Sequence, residues 1–127
     1  MKTGTKPAVE RLIAMAHVAD VQRSADFYSL LGFLVVGTFK NDAGVLCWVH
    51  LESGNANLML SKADAPVIAE QQAVLFYLYS DDLTGLREHL LASGIAVAGI
   101  TYPSYMPKGE FRLADPDGYV LLIGQND

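Results

Sequence analysis

The sequence predicts an α+β fold made of two copies of one strand–helix–strands module, and three observations carry that prediction. Asp20-Val21 leads through an apolar-striped segment to Gly32-Phe33, and Asp82-Leu83 leads through another to Gly94-Ile95, each Asp standing twelve residues before its Gly. Each Asp follows a short apolar run. A β-rich tail follows both copies, and the second tail ends in the turn Asp115-Pro116-Asp117-Gly118-Tyr119. Self-similarity of this kind marks repeated units whose function tends to lie between the copies.

The elements follow in order from local pattern. Residues 11–18 alternate as a strand, with Ile13, Met15 and His17 on one face and Leu12, Ala14, Ala16 and Val18 on the other; both faces are largely apolar, as in a strand covered on both sides. Asp20 is the helix N-cap, Val21, Ser24, Ala25, Tyr28 and Leu31 recur at helical spacing, and Gly32 closes the helix. Residues 33–39, 45–51 and 57–61 read as three strands separated by turn-forming segments around Gly44 and Gly54. Residues 62–72, with Pro66 among them, read as an exposed linker. The order then repeats: a strand over 73–79, a helix striped by Leu83, Leu86, Leu90 and Leu91, a strand over 95–102, and a closing hairpin of 110–114 and 119–124 around the Asp-Pro-Asp-Gly turn. The chain is thus read as one domain, 1–127, holding a first βαβββ module over 9–62 and a second over 73–125.

Composition narrows the function classes. At 127 residues, 51% hydrophobic and 18% charged, the chain has enough apolar material for a core. A net charge of −5 with nine scattered Lys and Arg argues against nucleic acid. No apolar stretch is long enough to cross a bilayer, so no membrane partner is expected. The first seven residues have no apolar run behind their lysines and read as a flexible lead-in, with no secretory signal. The single Cys47 cannot form an internal disulfide, which suits a reducing cytoplasm, and its apolar strand makes it a buried structural thiol.

A set of motifs now stands together: the run from Val18 through Asp20 to Phe27-Tyr28, then Leu31-Gly32-Phe33, Trp48-Val49-His50-Leu51 with Gly54, Asn57-Leu58-Met59-Leu60, and Asp115-Pro116-Asp117-Gly118-Tyr119. Together they resemble the vicinal-oxygen-chelate superfamily, which includes glyoxalase I, extradiol dioxygenases, fosfomycin-resistance enzymes and the bleomycin-binding resistance proteins. The likeness runs from about residue 11 to 125. It implies paired βαβββ modules, curved mixed sheets with a helix on the outer face of each, and a homodimer with clefts between modules. In the metal enzymes of this family each of four inner strands supplies one ligand, usually His or Glu. Carried across, those positions fall on Ile13, Met59, Leu75 and Leu122, all apolar. Such side chains cannot hold a divalent ion, so neither a metal nor a cofactor is expected.

What remains points to binding. His17 shares the face of Ile13; it reads first as a hydrogen-bonded histidine at a strand end and second as a base. Tyr77 and Tyr79 answer Met15 and His17 in the second copy and bring aromatic surface with polar tips. Trp48 and His50 share a face, and Trp48 suits ligand stacking or a dimer interface. Two tyrosines, Met106 and two prolines over 102–107 form a semi-rigid apolar flap carrying Tyr105, and on the strand that follows Glu110 and Arg112 alternate with Phe111. Asp115, Asp117 and Gly118 read as turn-setting residues, not acid–base groups. The expected ligand-binding set is therefore Ile13, Met15, His17, Trp48, Met59, Leu75, Tyr77, Tyr79, Tyr105 and Leu122. The preferred function is metal-independent binding or sequestration of a small hydrophobic or aromatic molecule, similar to the bleomycin-type resistance proteins. The rival is a glyoxalase-like lyase or isomerase using His17 or a tyrosine as base; a third reading is a non-catalytic interaction domain.

Overall fold

The computed structural model describes residues 7–127, so nearly all of the N-terminal lead-in lies outside it. Seven strands and two helices are laid out as β1 (Met15–Val18), α1 (Val21–Ser29), β2 (Leu34–Lys40), β3 (Leu46–Ser53), β4 (Ala56–Lys62), β5 (Leu75–Ser80), α2 (Leu83–Ala92), β6 (Glu110–Ala114) and β7 (Val120–Gln125), with one 3₁₀ turn at Ala69–Gln71. The strands form two mixed sheets, ordered β1-β4-β3-β2 and β5-β7-β6, in which only β1–β4 and β5–β7 run parallel. The fold is α+β, as the repeat predicts. Among the described residues no helix is long and apolar enough to cross a membrane.

The duplicated Asp and Gly make duplicated helix ends. Asp20 Oδ1 accepts the Arg23 N–H and Asp82 Oδ1 accepts the Gly85 N–H, both at 3.0 Å, so each satisfies a donor that the first helical turn leaves free. At the other end Phe33 N–H bonds Tyr28 O and Ile95 N–H bonds Leu90 O, a six-to-one closure that needs a left-handed residue between. Gly32 (φ 95°) and Gly94 (φ 81°) supply it. The α1 helix proper stops at Ser29, however, and Gly32 closes a further hydrogen-bonded turn instead of the helix itself.

Each helix covers one side of its sheet. Val21, Ser24, Ala25, Phe27 and Tyr28 of α1 are buried, as are Ala16, Val18, Val49, Leu51, Leu58 and Leu60 on the side of the sheet it packs against. Leu83 and Leu90 of α2 pack with Leu121, Ile123, Phe111 and Leu113. Leu91 belongs to the sequence stripe but stands 45% exposed, because the stripe is broader than the side the helix buries.

Three other expectations need correction. The first strand begins at Met15, not at 11, because pairing with β4 starts only where Ala14 O accepts Met59 N–H. Nor is it covered on both sides: Met15 is 53% exposed and His17 is exposed, while Ala16 and Val18 are buried. The strand expected over 95–102 is an edge segment without a continuous ladder. Ala98 N–H bonds Arg112 O and Thr101 pairs with Glu110, so three steps on one chain oppose two on the other. One surplus residue bulges the segment, and the second module is βα followed by a bulged edge and two strands.

The two modules are joined by the final turn. Tyr28 Oη donates to Asp115 Oδ2 at 2.8 Å, while Asp115 Oδ1 takes the N–H groups of Asp117 and Tyr119 at 2.9 Å each. Asp117 in turn accepts Ala19 N–H at 3.0 Å and lies 3.3 Å from Ser24 Oγ. Tyr119 Oη reaches the His17 carbonyl at 2.9 Å and its ring stacks on Phe76. The turn also receives the linker. A side chain on Gly118 would lie 2.3 Å from Ala69 Cβ, so the 3₁₀ turn is packed on it and the linker is not a free tether.

Two outcomes follow for stability. Tyr28→Phe leaves Asp115 Oδ2 buried without its donor and should cost about 1–3 kcal/mol in urea unfolding. Burial pushes the Asp115 carboxyl above the ordinary Asp value, against the hydrogen bonds that pull it down. A raised folded-state value means a contribution to stability that is full below the unfolded value and is lost as pH rises through the folded one. The stability of the wild type minus that of Asp115→Asn should therefore fall as pH rises from about 4. A flat difference would show that Asp115 titrates alike in both states.

Candidate functional site

Strand parity decides which side chains the helices leave uncovered. On the first sheet Met15 pairs with Met59, His17 with Ser61, His50 with Met59 and Trp48 with Ser61, which puts all of these on the side away from α1. Phe39 joins them opposite Trp48. The Trp48 and His50 rings meet edge-on with centroids 6.4 Å apart, and His50 Nε2 lies 2.9 Å from the Asn57 Oδ1 carbonyl. His17 keeps its imidazole free of side-chain hydrogen bonds among the described residues; only its main-chain carbonyl is bonded, to Tyr119. Ile13 lies just before β1 and is half-buried.

The second sheet has a matching open side. Leu75 pairs with Val120, Tyr77 with Leu122 and Tyr79 with Gly124, while Arg112 stands opposite Leu122 and Glu110 opposite Gly124. Tyr77 and Tyr79 lie ring against ring at 5.3 Å, and Leu75 and Tyr79 are more than half exposed. Glu110 is the exception on this side, only 6% exposed. Its Oε1 accepts the Tyr77 hydroxyl at 2.5 Å and its Oε2 accepts the Tyr105 hydroxyl at 3.0 Å. Both phenols are held above their ordinary range, first by the bond to Glu110, then by desolvation, then by the carboxylate charge.

The ten residues singled out from sequence thus fall into two groups within one chain: Ile13, Met15, His17, Trp48 and Met59 with the first sheet, and Leu75, Tyr77, Tyr79, Tyr105 and Leu122 with the second. Three of the cavities formed by the described residues lie beside these groups. One of 640 Å³ lies between the modules and is lined by Phe33, Ser53 to Ala56, and Tyr77 to Asp81. A smaller one of 250 Å³ holds Leu75 and Tyr77 against Ala14, Tyr28 and Asn57, and a third of 450 Å³ sets His17 against the linker. None of them is lined by members of both groups. Glu110 is the residue whose position sequence reasoning underrated: its alternation with Arg112 is visible, but its partner Tyr77 is 33 residues away.

The donor set does not fit the divalent ion that the resemblance brings with it. Ile13, Met59, Leu75 and Leu122 offer no imidazole or carboxylate, and a lone thioether is a poor ligand for such ions. No group of three or more His, Cys, Asp or Glu among the described residues is arranged to hold a metal. Cys47 is half-buried, its thiol 3.3 Å from the Val45 carbonyl.

Comparison with known proteins places this geometry. Residues 13–123 match the family described as the Glyoxalase/Bleomycin resistance protein/Dioxygenase superfamily. A bleomycin-binding protein solved in complex with bleomycin superposes with a TM-score of 0.74 at 21% identity, over 94% of this chain and 100% of that one. A bleomycin resistance determinant encoded on the transposon Tn5 gives 0.75 at 21%, over 94% and 99%. TnmS3, an antibiotic binding protein from Streptomyces sp. CB03234, gives 0.72 at 23%, over 96% and 100%. Among curated protein sequences nothing matches the chain.

The tyrosine–carboxylate cluster has a spectroscopic consequence. Glu110→Gln leaves one amide oxygen where two carboxylate oxygens accepted the Tyr77 and Tyr105 hydroxyls and also removes the carboxylate charge, so both phenols should ionise at lower pH in an alkaline tyrosinate titration. Tyr77→Phe and Tyr105→Phe assign the two steps, and curves that do not move in the Gln variant would refute the electrostatic account.

Proposed function

The chain belongs to the Glyoxalase/Bleomycin resistance protein/Dioxygenase superfamily, and from that premise we propose that it binds and sequesters a small hydrophobic or aromatic molecule without a metal ion. The observation that carries this reading is the pair of uncovered sheet faces. Met15, Met59, Trp48 and Phe39 on one, with Leu75, Tyr77 and Tyr79 on the other, leave apolar and aromatic surface open where a monomer ordinarily hides it. Flat rings with polar tips suit a ligand that is largely apolar but carries a few polar groups. The superposed bleomycin-binding and antibiotic-binding proteins support the same class of role. The four apolar positions favour a molecule over an ion.

A homodimer is part of the proposal. Each chain offers two half-faces that none of the three cavities described above joins, and pairing the first face of one protomer with the second face of another would close both and bury the exposed Leu34, Val36 and Phe39 edge. Action in the cytoplasm is supported by the unpaired Cys47 thiol.

The sole tryptophan makes the test direct. Trp48 fluorescence titrated with bleomycin and, separately, with uncharged 1-naphthol, each in the presence of EDTA, should saturate for at least one of the two at one molecule per chain. Met59→Asp, which sets a carboxylate in the apolar face, should weaken that binding about tenfold or more. Absence of saturable binding of either probe counts against sequestration. One equivalent of tightly held divalent metal, with binding lost on chelation, counts against metal independence. Sedimentation should give the mass of a dimer, and a monomer at micromolar concentration would remove the shared-cleft arrangement.

A further inference from the structure

Glu110 is the one carboxylate that the second sheet turns to its ligand side, and its surroundings are unusual. A glutamate without a cation is seldom so far out of water. Among the described residues the ion pairs are Arg23 with Asp117 and Lys108 with Asp127; Glu110 has none, although Arg112 stands two residues on along the same side. Its charge is met only by two neutral hydroxyls, one on each oxygen. A carboxylate has room for about four donors, so about half of its accepting capacity is unused.

What shelters it is the flap, not the core. Met106 lies over Gly124, the residue directly opposite Glu110, where a side chain would come within 2.8 Å of Met106 Cε. Tyr105 closes the remaining side with its hydroxyl tip while 67% of it stays exposed. The flap itself is held by short-range bonds, Met106 N–H to Pro103 O and Gly109 N–H to Met106 O. Tyr105 can therefore swing out with the loss of one part-buried hydrogen bond, and the carboxylate it uncovers is already bonded to Tyr77, whose ring lies against Tyr79.

We propose that Glu110 is a cation anchor for the bound molecule, taking a protonated amine whose aromatic or alicyclic body lies on Tyr77 and Tyr79, with Tyr105 as the displaceable cover. The proposal rests on the binding role inferred above and names its ligand class. An ammonium brings three donors and a full positive charge to a site that supplies a carboxylate, the Tyr77 phenol oxygen and two ring faces. The chain's net charge of −5 adds long-range attraction of the same sign.

The experiment uses two probes of one shape, 1-naphthylmethylamine, which is protonated at neutral pH, and 1-naphthylmethanol, which is not. In calorimetric titrations the wild type should bind the amine at least about tenfold more tightly than the alcohol. Glu110→Gln should abolish that preference, weakening the amine far more than the alcohol. Tyr105→Phe, which frees Oε2, should tighten the amine and not the alcohol, so the test survives even if the Gln variant fails to fold. Equal affinities in the wild type, a preference that persists in Glu110→Gln, or an amine affinity unmoved in Tyr105→Phe would each overturn the anchor while leaving the binding role intact. If neither probe binds the wild type, the anchor is overturned, and the binding role stands or falls separately on the bleomycin and 1-naphthol titrations.

Discussion

Asp115 and Asp117 sit in one turn of the second sheet, yet most of the groups they hold belong to the first module. Tyr28, Ala19, Ser24 and the more distant Arg23 guanidinium come from the start and body of α1; only the N–H groups of Asp117 and Tyr119 are local. Two carboxylates this close and this buried repel each other and lose hydration, a penalty only directed donors can offset. The donors are therefore not interchangeable. The turn also lies at the N-terminal end of α1, where the helix dipole favours negative charge. The exposed Arg23, 3.8 Å from Asp117, adds little, because a pair open to water is screened. What fixes the helix against the second sheet is a set of short bonds to a carboxylate pair, and the modules keep their relation because that set has a single geometry.

That constraint decides which side of each sheet stays uncovered. With α1 held between its own sheet and the final hairpin, and α2 on β7, one side of each sheet is taken. Alternation along the strands then sends Met15, His17, Met59 and Trp48 one way and Ala16, Val18, Leu60 and Val49 the other. The same rule turns Tyr77, Leu122 and Glu110 outward while Leu121, Ile123 and Phe111 go inward. Sidedness, more than any pocket already closed within one chain, defines the uncovered surface to which we assign the ligand. The open sides carry the exposed Met15, Phe39, Leu75 and Tyr79.

Much of this was legible in the sequence, and the reason is local. A cap needs an Asp and a left-handed exit needs a Gly, so both helices announced their ends by residue type alone. Strand parity was readable too, which is why Met15, His17, Trp48, Met59, Leu75, Tyr77, Tyr79 and Leu122 share the uncovered sides, whereas Ile13 precedes β1 and Tyr105 lies in a loop. The rest depended on contacts distant in sequence. A surplus residue between Ala98 and Thr101 becomes a bulge only because Arg112 and Glu110 fix the spacing opposite it. Asp115 and Asp117 read as turn formers, and nothing local revealed that they also reach Tyr28 and Ala19, 87 and 98 residues away. Glu110 looked like one member of an ordinary alternation, since neither Tyr77 nor the shelter of Met106 can be inferred from its neighbours.

The two sides of each strand are under different demands, and this explains how the scaffold can persist while its chemistry changes. A residue facing the helices, such as Val18, Leu60 or Leu121, is packed to zero exposure, so altering its volume disturbs a close-packed interior. A residue on the open side is less bound by packing, and the apolar Met59, Leu75 and Leu122 stand at such positions. The polar residues that cannot be exchanged are instead those that build the fold: the helix-capping Asp20 and Asp82, and the paired Asp115 and Asp117. A carboxylate on the structural side is thus surrounded by directed donors from both modules, whereas Glu110, on the open side, is met by two phenols and a movable flap. Difference in partners, not in residue type, separates a carboxylate that holds the protein together from one left available to a ligand.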